Sequence, residues 1–229
     1  MTETYLEPEE VEKMEGVAIY VRDKLLIRLL WRLGCRISEV LGVGVRDIDF
    51  NQNTVTIEHL KIRVRLSCPQ CGTRLSKTSR FCPGCGIRVE KVVTEEKEHH
   101  RKRTLPLDKE TMNMLRQYVD AGGPVGNGEK KPLFGLKRRQ ASNIIRECAA
   151  KAGLRPLVNP DTGELRGISP HRLRDAFAVN AVKADDSGDG LRLLQEHLGH
   201  KSIVTTMKYR KIAGEEHREW YDKIWNQRN

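Results

Sequence analysis

Two copies of one short pattern, Cys68-Pro69-Gln70-Cys71-Gly72 and Cys82-Pro83-Gly84-Cys85-Gly86, lie ten residues apart and restrict what the segment between them can become. Two residues between paired cysteines let both sulfurs reach one ion, and the following glycine allows the tight turn that aims them. Two such knuckles give four thiolates, which complete a tetrahedral site and leave no open position for chemistry. One structural Zn2+ held by Cys68, Cys71, Cys82 and Cys85 is therefore expected. Iron, or a pair of disulfides in an oxidising compartment, are the alternatives. A module of twenty residues has little core of its own, so metal binding has to supply most of its folding energy. Cys35 and Cys148 fall outside the pattern and are expected to be buried thiols.

The sequence on either side of the knuckles changes period. Val55 and Ile57 alternate with Thr54, Thr56 and Glu58 after an Asn51-Gln52-Asn53 turn, and Ile62, Val64 and Leu66 extend the alternation. Beyond the knuckles, Ile87 and Val89, then Thr104 to Leu107, are expected to form the returning strand. The result would be a long β-hairpin carrying a small module at its tip.

The remainder has helical spacing. A first helix is expected from Pro8, with Glu9 and Glu10 near its positive dipole end. Leu25, Leu26, Leu29, Leu30 and Leu33 recur on one face of a second helix that Gly34 stops, and a short helix carries Arg36 to Leu41. Met112, Leu115 and Val119 share a face up to Gly122-Gly123. Further helices are expected over 137–152, 171–184, 190–198 and 202–208, and over a terminal stretch, 215–225, that contains Trp220, Ile224 and Trp225.

Hydrophobic residues make up 38% and charged residues 31% of the 229, and the net charge is +10. This surplus favours a polyanionic partner, because each neutralised phosphate releases condensed counterions. No stretch approaches the about 20 apolar residues of a membrane span. The polar, acidic start Met1-Thr2-Glu3-Thr4 is unlike a secretory leader, so a cytoplasmic protein with no membrane partner is expected.

Four further elements occur in order: Arg36 in Cys35-Arg36-Ile37-Ser38-Glu39-Val40; Ser169-Pro170-His171-Arg172-Leu173-Arg174 opening a helix; Leu198-Gly199-His200; and Tyr209, nine residues after that histidine. The order Arg, His-x-x-Arg, Leu-Gly-His, Tyr resembles the signature of the tyrosine recombinases, or phage integrases, from about Leu6 to Tyr209. The cysteine segment is similar to zinc ribbons, including Phe81 just before the second knuckle.

The resemblance implies an α+β, mainly helical fold: a tyrosine-recombinase catalytic domain with a small antiparallel sheet (1–66 and 87–229) and a zinc ribbon inserted in its β-hairpin (67–86). It implies a site-specific recombinase that cleaves and rejoins double-stranded DNA through a 3′-phosphotyrosine, with no metal or ATP in the chemistry. Arg36 and Arg174 would clamp the scissile phosphate, oriented by Glu39. His171 would assist proton transfer, and His200 would bond a phosphate oxygen. Tyr209 would attack, and Lys61, after the second strand, is the general-acid candidate among several lysines of the hairpin. Arg63, Arg65, Arg88 and Arg172 are candidate DNA contacts. The basic ribbon would stand in for an N-terminal core-binding domain, since only about twenty residues precede the Leu-rich helix. A homodimer or homotetramer assembled on DNA, nucleoid-associated when bound and serving a mobile element, completes the expectation. Relaxation of the type IB topoisomerase kind and a non-catalytic DNA-binding accessory role are the competing readings.

Overall fold

A computed structural model describes residues 4–76, 78–89, 93–124, 131–159, 162–210 and 221, with backbone alone for 59–65 and 93–101. The order is α1 (Pro8–Gly16), α2 (Val21–Arg32), α3 (Ile37–Leu41), β1 (Ile48–Asp49), β2 (Thr54–Ser67), β3 (Val93–Pro106), α4 (Lys109–Asp120), α5 (Arg138–Lys151), β4 (Leu157–Val158), β5 (Leu165–Arg166), α6 (Pro170–Ala184), α7 (Gly188–Leu198) and α8 (Ile203–Met207). The mainly helical α+β architecture is the expected one. No helix among the described residues is long and apolar enough to cross a membrane.

The chain forms two compact units, Met1–Ile57 with Thr104–Asn229, and Glu58–Arg103. In the larger unit α2 is the central element. Its Leu25, Leu26, Ile27 and Leu30 are fully buried, and it packs against α1, α4 and α6. This is the leucine stripe that the periodicity identified. Main-chain conformation ends the helix: Gly34 sits at φ +55°, where a Cβ would collide with Phe177. Strand order is β1-β2-β3, with Ile48 opposite Val55. The Asp49 carboxylate closes the β1–β2 turn by accepting from the Asn51 and Gln52 amides.

In the smaller unit the knuckles form two tight hairpins. Cys68 N–H bonds Thr73 O, and Leu75 N–H bonds Leu66 O; the second copy repeats this with Cys82 to Ile87 and Val89 to Arg80. Ile87 and Val89 therefore belong to the second knuckle rather than to the returning strand, which begins at Val93. Gly86, at φ +73°, turns the chain back on its own knuckle before the alternation can extend. A second difference is the β4–β5 hairpin, which pairs Leu157 with Arg166 and Val158 with Leu165. Also, α7 starts two residues before its expected position, because the Ser187 hydroxyl caps Gly190 N–H. The stretch expected to be helical over 215–225 lies outside the described residues apart from Tyr221.

Candidate active site

Arg36 is the N-cap of α3, in extended conformation at ψ 147°. Glu39, one turn on and 3% exposed, accepts from the Arg36 main-chain N–H at 2.9 Å and from its guanidinium at 3.0 Å. One buried carboxylate thus fixes both the backbone and the side chain of Arg36, whose guanidinium end still reaches solvent.

Ser169 and Pro170 start α6, placing His171 and Arg174 three residues apart on one face. Arg174 is 2% exposed. Its guanidinium donates to Gly34 O at 2.6 Å and Leu198 O at 2.9 Å, and it lies 3.1 Å from His200 Nε2. Burial holds its pKa below the usual arginine range, the nearby Arg36 charge adds to this, and Glu39 opposes it.

His200 follows Gly199, whose left-handed φ of 67° terminates α7. Arginine can only donate, so His200 Nε2 accepts from Arg174. Its Nδ1–H then donates to the buried Thr206 hydroxyl at 2.9 Å. The imidazole is held between a cation and a hydroxyl, in one tautomer.

Tyr209 lies just beyond α8, its N–H bonded to Thr206 O. Its ring is 6.4 Å from that of His200 and nearly parallel to it, and it packs on the small core of Ala178, Val182, Leu191, Leu194 and Leu198. The phenol donates to Asp175 Oδ1 at 2.9 Å. Burial, with the adjacent Asp175 charge and the bond to it, holds the phenol above the ordinary tyrosine range, while Arg174 opposes the shift. Asp175 is 5% exposed. Its second oxygen is 3.3 Å from Arg172, and its first is 3.6 Å from His171 Nε2.

Arg36, His171 and Arg174 line one open cavity of about 430 Å³, together with Arg138, Ser142 and Arg146 of α5. Planar guanidinium forks around such a space suit the non-bridging oxygens of a phosphate diester. The α5 trio was not singled out from sequence. Its signal is the i, i+4, i+8 spacing along the border of the buried face of Ala141, Ile145 and Ala149. Asp175 was likewise missed.

The structure thus brings Arg36, Glu39, His171, Arg174, His200 and Tyr209 together within the larger unit. The side chains of Lys61, Arg63 and Arg65 lie outside the described residues. Arg88 is an exposed residue of the second knuckle, opposite Phe81. Arg172 is engaged by Asp175, with only 12% of its side chain exposed.

In the smaller unit the sulfurs of Cys68, Cys71, Cys82 and Cys85 all lie within 4.8 Å of one another. Cys68–Cys85 is 3.7 Å and Cys71–Cys82 is 3.5 Å. A tetrahedron of about 2.3 Å metal–sulfur bonds has edges of about 3.8 Å, so the donor set fits one four-coordinate ion.

The phage integrase family matches residues 4–216, and the chain belongs to it. It is 27% identical over 199 residues to a probable integrase/recombinase protein of Methanocaldococcus jannaschii, a match covering 85% of this chain and 47% of the relative. It is 23% identical over 228 residues to tyrosine recombinase XerA of Pyrococcus horikoshii, covering 95% and 60%. The chain spans about half the length of the curated relatives it matches. Among solved structures, that of XerA recombinase aligns with a TM-score of 0.61 at 19% identity, over 97% of this chain and 63% of that one. The Tn1549 transposon integrase in complex with transposon right end DNA aligns with 0.61 at 16%, over 97% and 66%. The fold is therefore that of tyrosine-recombinase catalytic domains.

Proposed function

We propose that this chain is the catalytic part of a site-specific recombinase that cuts and rejoins duplex DNA through Tyr209. The observation that carries the reading is the convergence of two arginines and a histidine on one cavity, with His200 and a partly buried tyrosine near Arg174. Cleavage that conserves the phosphodiester bond energy needs a protein nucleophile that stays attached, and donors where negative charge develops on phosphorus oxygens. Arg36 and Arg174 clamp the phosphate and Glu39 orients Arg36. His171 assists proton transfer, and His200 buttresses Arg174 and the phosphate. Lys61 protonates the leaving 5′ oxygen, by its place in the hairpin.

Four thiolates at tetrahedral spacing support a structural zinc ion in the ribbon. The ribbon (67–86) is then an insertion in a catalytic domain formed by 1–66 and 87–229. Its exposed Arg74, Arg80 and Arg88 give a duplex a basic surface to meet, and Arg63 and Arg65 remain candidate contacts by their place in the sequence of β2. Duplex DNA as partner agrees with the DNA-bound XerH recombinase and Tn1549 integrase, which share the fold. Assembly as a dimer or tetramer on that DNA, in the cytoplasm, completes the reading.

The test is a nicked duplex from which the cleaved end diffuses away, trapping the covalent intermediate. Because no target sequence is fixed, the probe is a pool of nicked duplexes with randomised cores, and the adducts are recovered and sequenced. The native chain should yield a protein–DNA adduct, and Tyr209→Phe should yield none. DNA binding with no adduct from the native chain would refute the reading.

A further inference from the structure

We propose that Asp175 is the proton acceptor for Tyr209 in strand cleavage and the proton donor to it in rejoining. The inference rests on the cleavage reading above and adds to it a catalytic residue.

The phenol must lose a proton as it attacks. It is partly buried beside a carboxylate and held protonated in the neutral range, so an acceptor has to lie within reach of its oxygen. Among the described residues, the charged and titratable groups facing Tyr209 and Asp175 are His171, Arg172 and Arg174 of α6, His200 after α7, and Tyr5 of the N-terminal segment, itself a phenol and so no better an acceptor than Tyr209. Arg172 and Arg174 have no lone pair to offer. His200 has both ring nitrogens engaged, one by Arg174 and one by Thr206. His171 meets Asp175 at 3.6 Å and makes no hydrogen bond to the phenol. Asp175 Oδ1 is the acceptor in place, at 2.9 Å.

The surroundings suit that role. Arg172 fixes Oδ2 at 3.3 Å, leaving Oδ1 between the phenol and the imidazole of His171. Because Asp175 directly follows Arg174 on α6, the phosphate clamp and the acceptor are set by the same helical turn. In cleavage the Tyr209 Oη–P bond forms and the P–O5′ bond breaks. The phenolic proton passes to Asp175 Oδ1, and the 5′ oxygen takes a proton from the general acid, for which Lys61 is the candidate. In rejoining the 5′ hydroxyl attacks phosphorus and gives its proton back to the general acid, the Tyr209–P bond breaks, and Asp175 returns its proton to the departing phenolate.

Asparagine at position 175 keeps the size and an oxygen that accepts the phenol's hydrogen bond, but it takes up no proton. Single-turnover adduct formation on a nicked duplex recovered from the pool should fall roughly 100-fold or more at pH 7 in Asp175→Asn, with duplex affinity unchanged by fluorescence anisotropy. The rate should then rise about tenfold per pH unit between pH 6 and 9, since the phenol must ionise to solvent, whereas the native profile stays flatter. Asp175→Glu should recover a large part of the loss. Carbon-13 labelling of the tyrosine ring provides a check independent of activity: in a folded Asp175→Asn the Tyr209 titration moves down.

Adduct formation by Asp175→Asn at or above the native rate would overturn the proposal, leaving Asp175 as a restraint on the nucleophile. A lower rate with an unchanged pH profile would overturn it too, leaving a structural role. Either result spares the cleavage reading. Absence of any adduct from the native chain removes both.

Discussion

On the zinc reading proposed above, stripping the metal from the ribbon should unfold that module and leave the larger unit standing. Besides Cys68 and Cys82, the ribbon core holds one buried side chain among the described residues, Leu75, with Leu66 and Val89 partly buried against it. Burying one leucine contributes about 1.5–3 kcal/mol, whereas zinc contributes about 10–16 kcal/mol in small peptides at neutral pH. Ordering the segment costs conformational entropy that two hydrogen-bonded hairpins and one leucine are insufficient to offset. Chelation should therefore open the backbone at Arg74, Arg80 and Arg88 to trypsin, while fragments from the larger unit persist. The melting temperature of the larger unit should stay within about 3 °C, because its core contains neither Leu75 nor the four knuckle cysteines. Titrating the thiols with a mercurial, in the presence of a zinc dye, should release one equivalent per chain. The metal should also be lost as pH falls, since protons compete for the thiolates. Cys71→Ser should weaken metal binding and reproduce the cleavage pattern. Chelated protein that resists trypsin at those arginines as well as the loaded protein does would refute the reasoning.

Gly34→Ala combines a left-handed φ of +55° with a Cβ that collides with the Phe177 ring, so it should destabilise the larger unit by about 2–5 kcal/mol in urea unfolding. It should also shift the carbonyl that anchors Arg174; a loss under about 1 kcal/mol would contradict that geometry. Glu39→Gln keeps the volume but removes the charge from the two bonds that set Arg36, worth about 1.5–3 kcal/mol for a hydrogen bond to a charged group. Adduct formation should drop at least tenfold, and an unchanged rate would show that Arg36 is placed without it. Thr206→Val leaves His200 Nδ1–H without its acceptor, at about 1–3 kcal/mol. Nitrogen-15 spectra should show the tautomer shifting and Thr206→Ser restoring it; a spectrum unchanged by valine would refute the assignment.

What the sequence made legible was whatever repeats with a short period or sits at a fixed spacing. The leucine stripe of α2 and its stop at Gly34 placed Arg36 at the head of α3. The i, i+3 spacing of His171 and Arg174 gave one helix face, and the same spacing of paired cysteines gave the knuckles. The signals that failed are long-range or depend on main-chain conformation. Asp175 and Tyr209 are 34 residues apart, and nothing around Asp175 separates it from any helical acid. Arg138 and Arg146 form a polar face like that of any solvated helix until α6 closes the cavity from the other side. Ile87 and Val89 continue a strand-like alternation, but the left-handed Gly86 commits them to the knuckle first. Lys61 is one of several lysines of the hairpin, and the alternation ranks none above another.

Arg174 shows why site and fold are hard to separate here. Burying a guanidinium is unfavourable unless its donors are matched, and here two are taken by carbonyls from distant segments, Gly34 at the end of α2 and Leu198 at the end of α7. These bonds tie three helices together and hold the planar fork in one orientation. They also leave the positive charge uncompensated by a direct carboxylate, with Arg36 close enough to depress its pKa further. Glu39 is committed to Arg36, and Asp175 to Arg172 and the phenol. The cavity between the two arginines therefore favours an anion already in the unliganded protein. A phosphate diester entering it meets donors whose reorganisation was completed during folding.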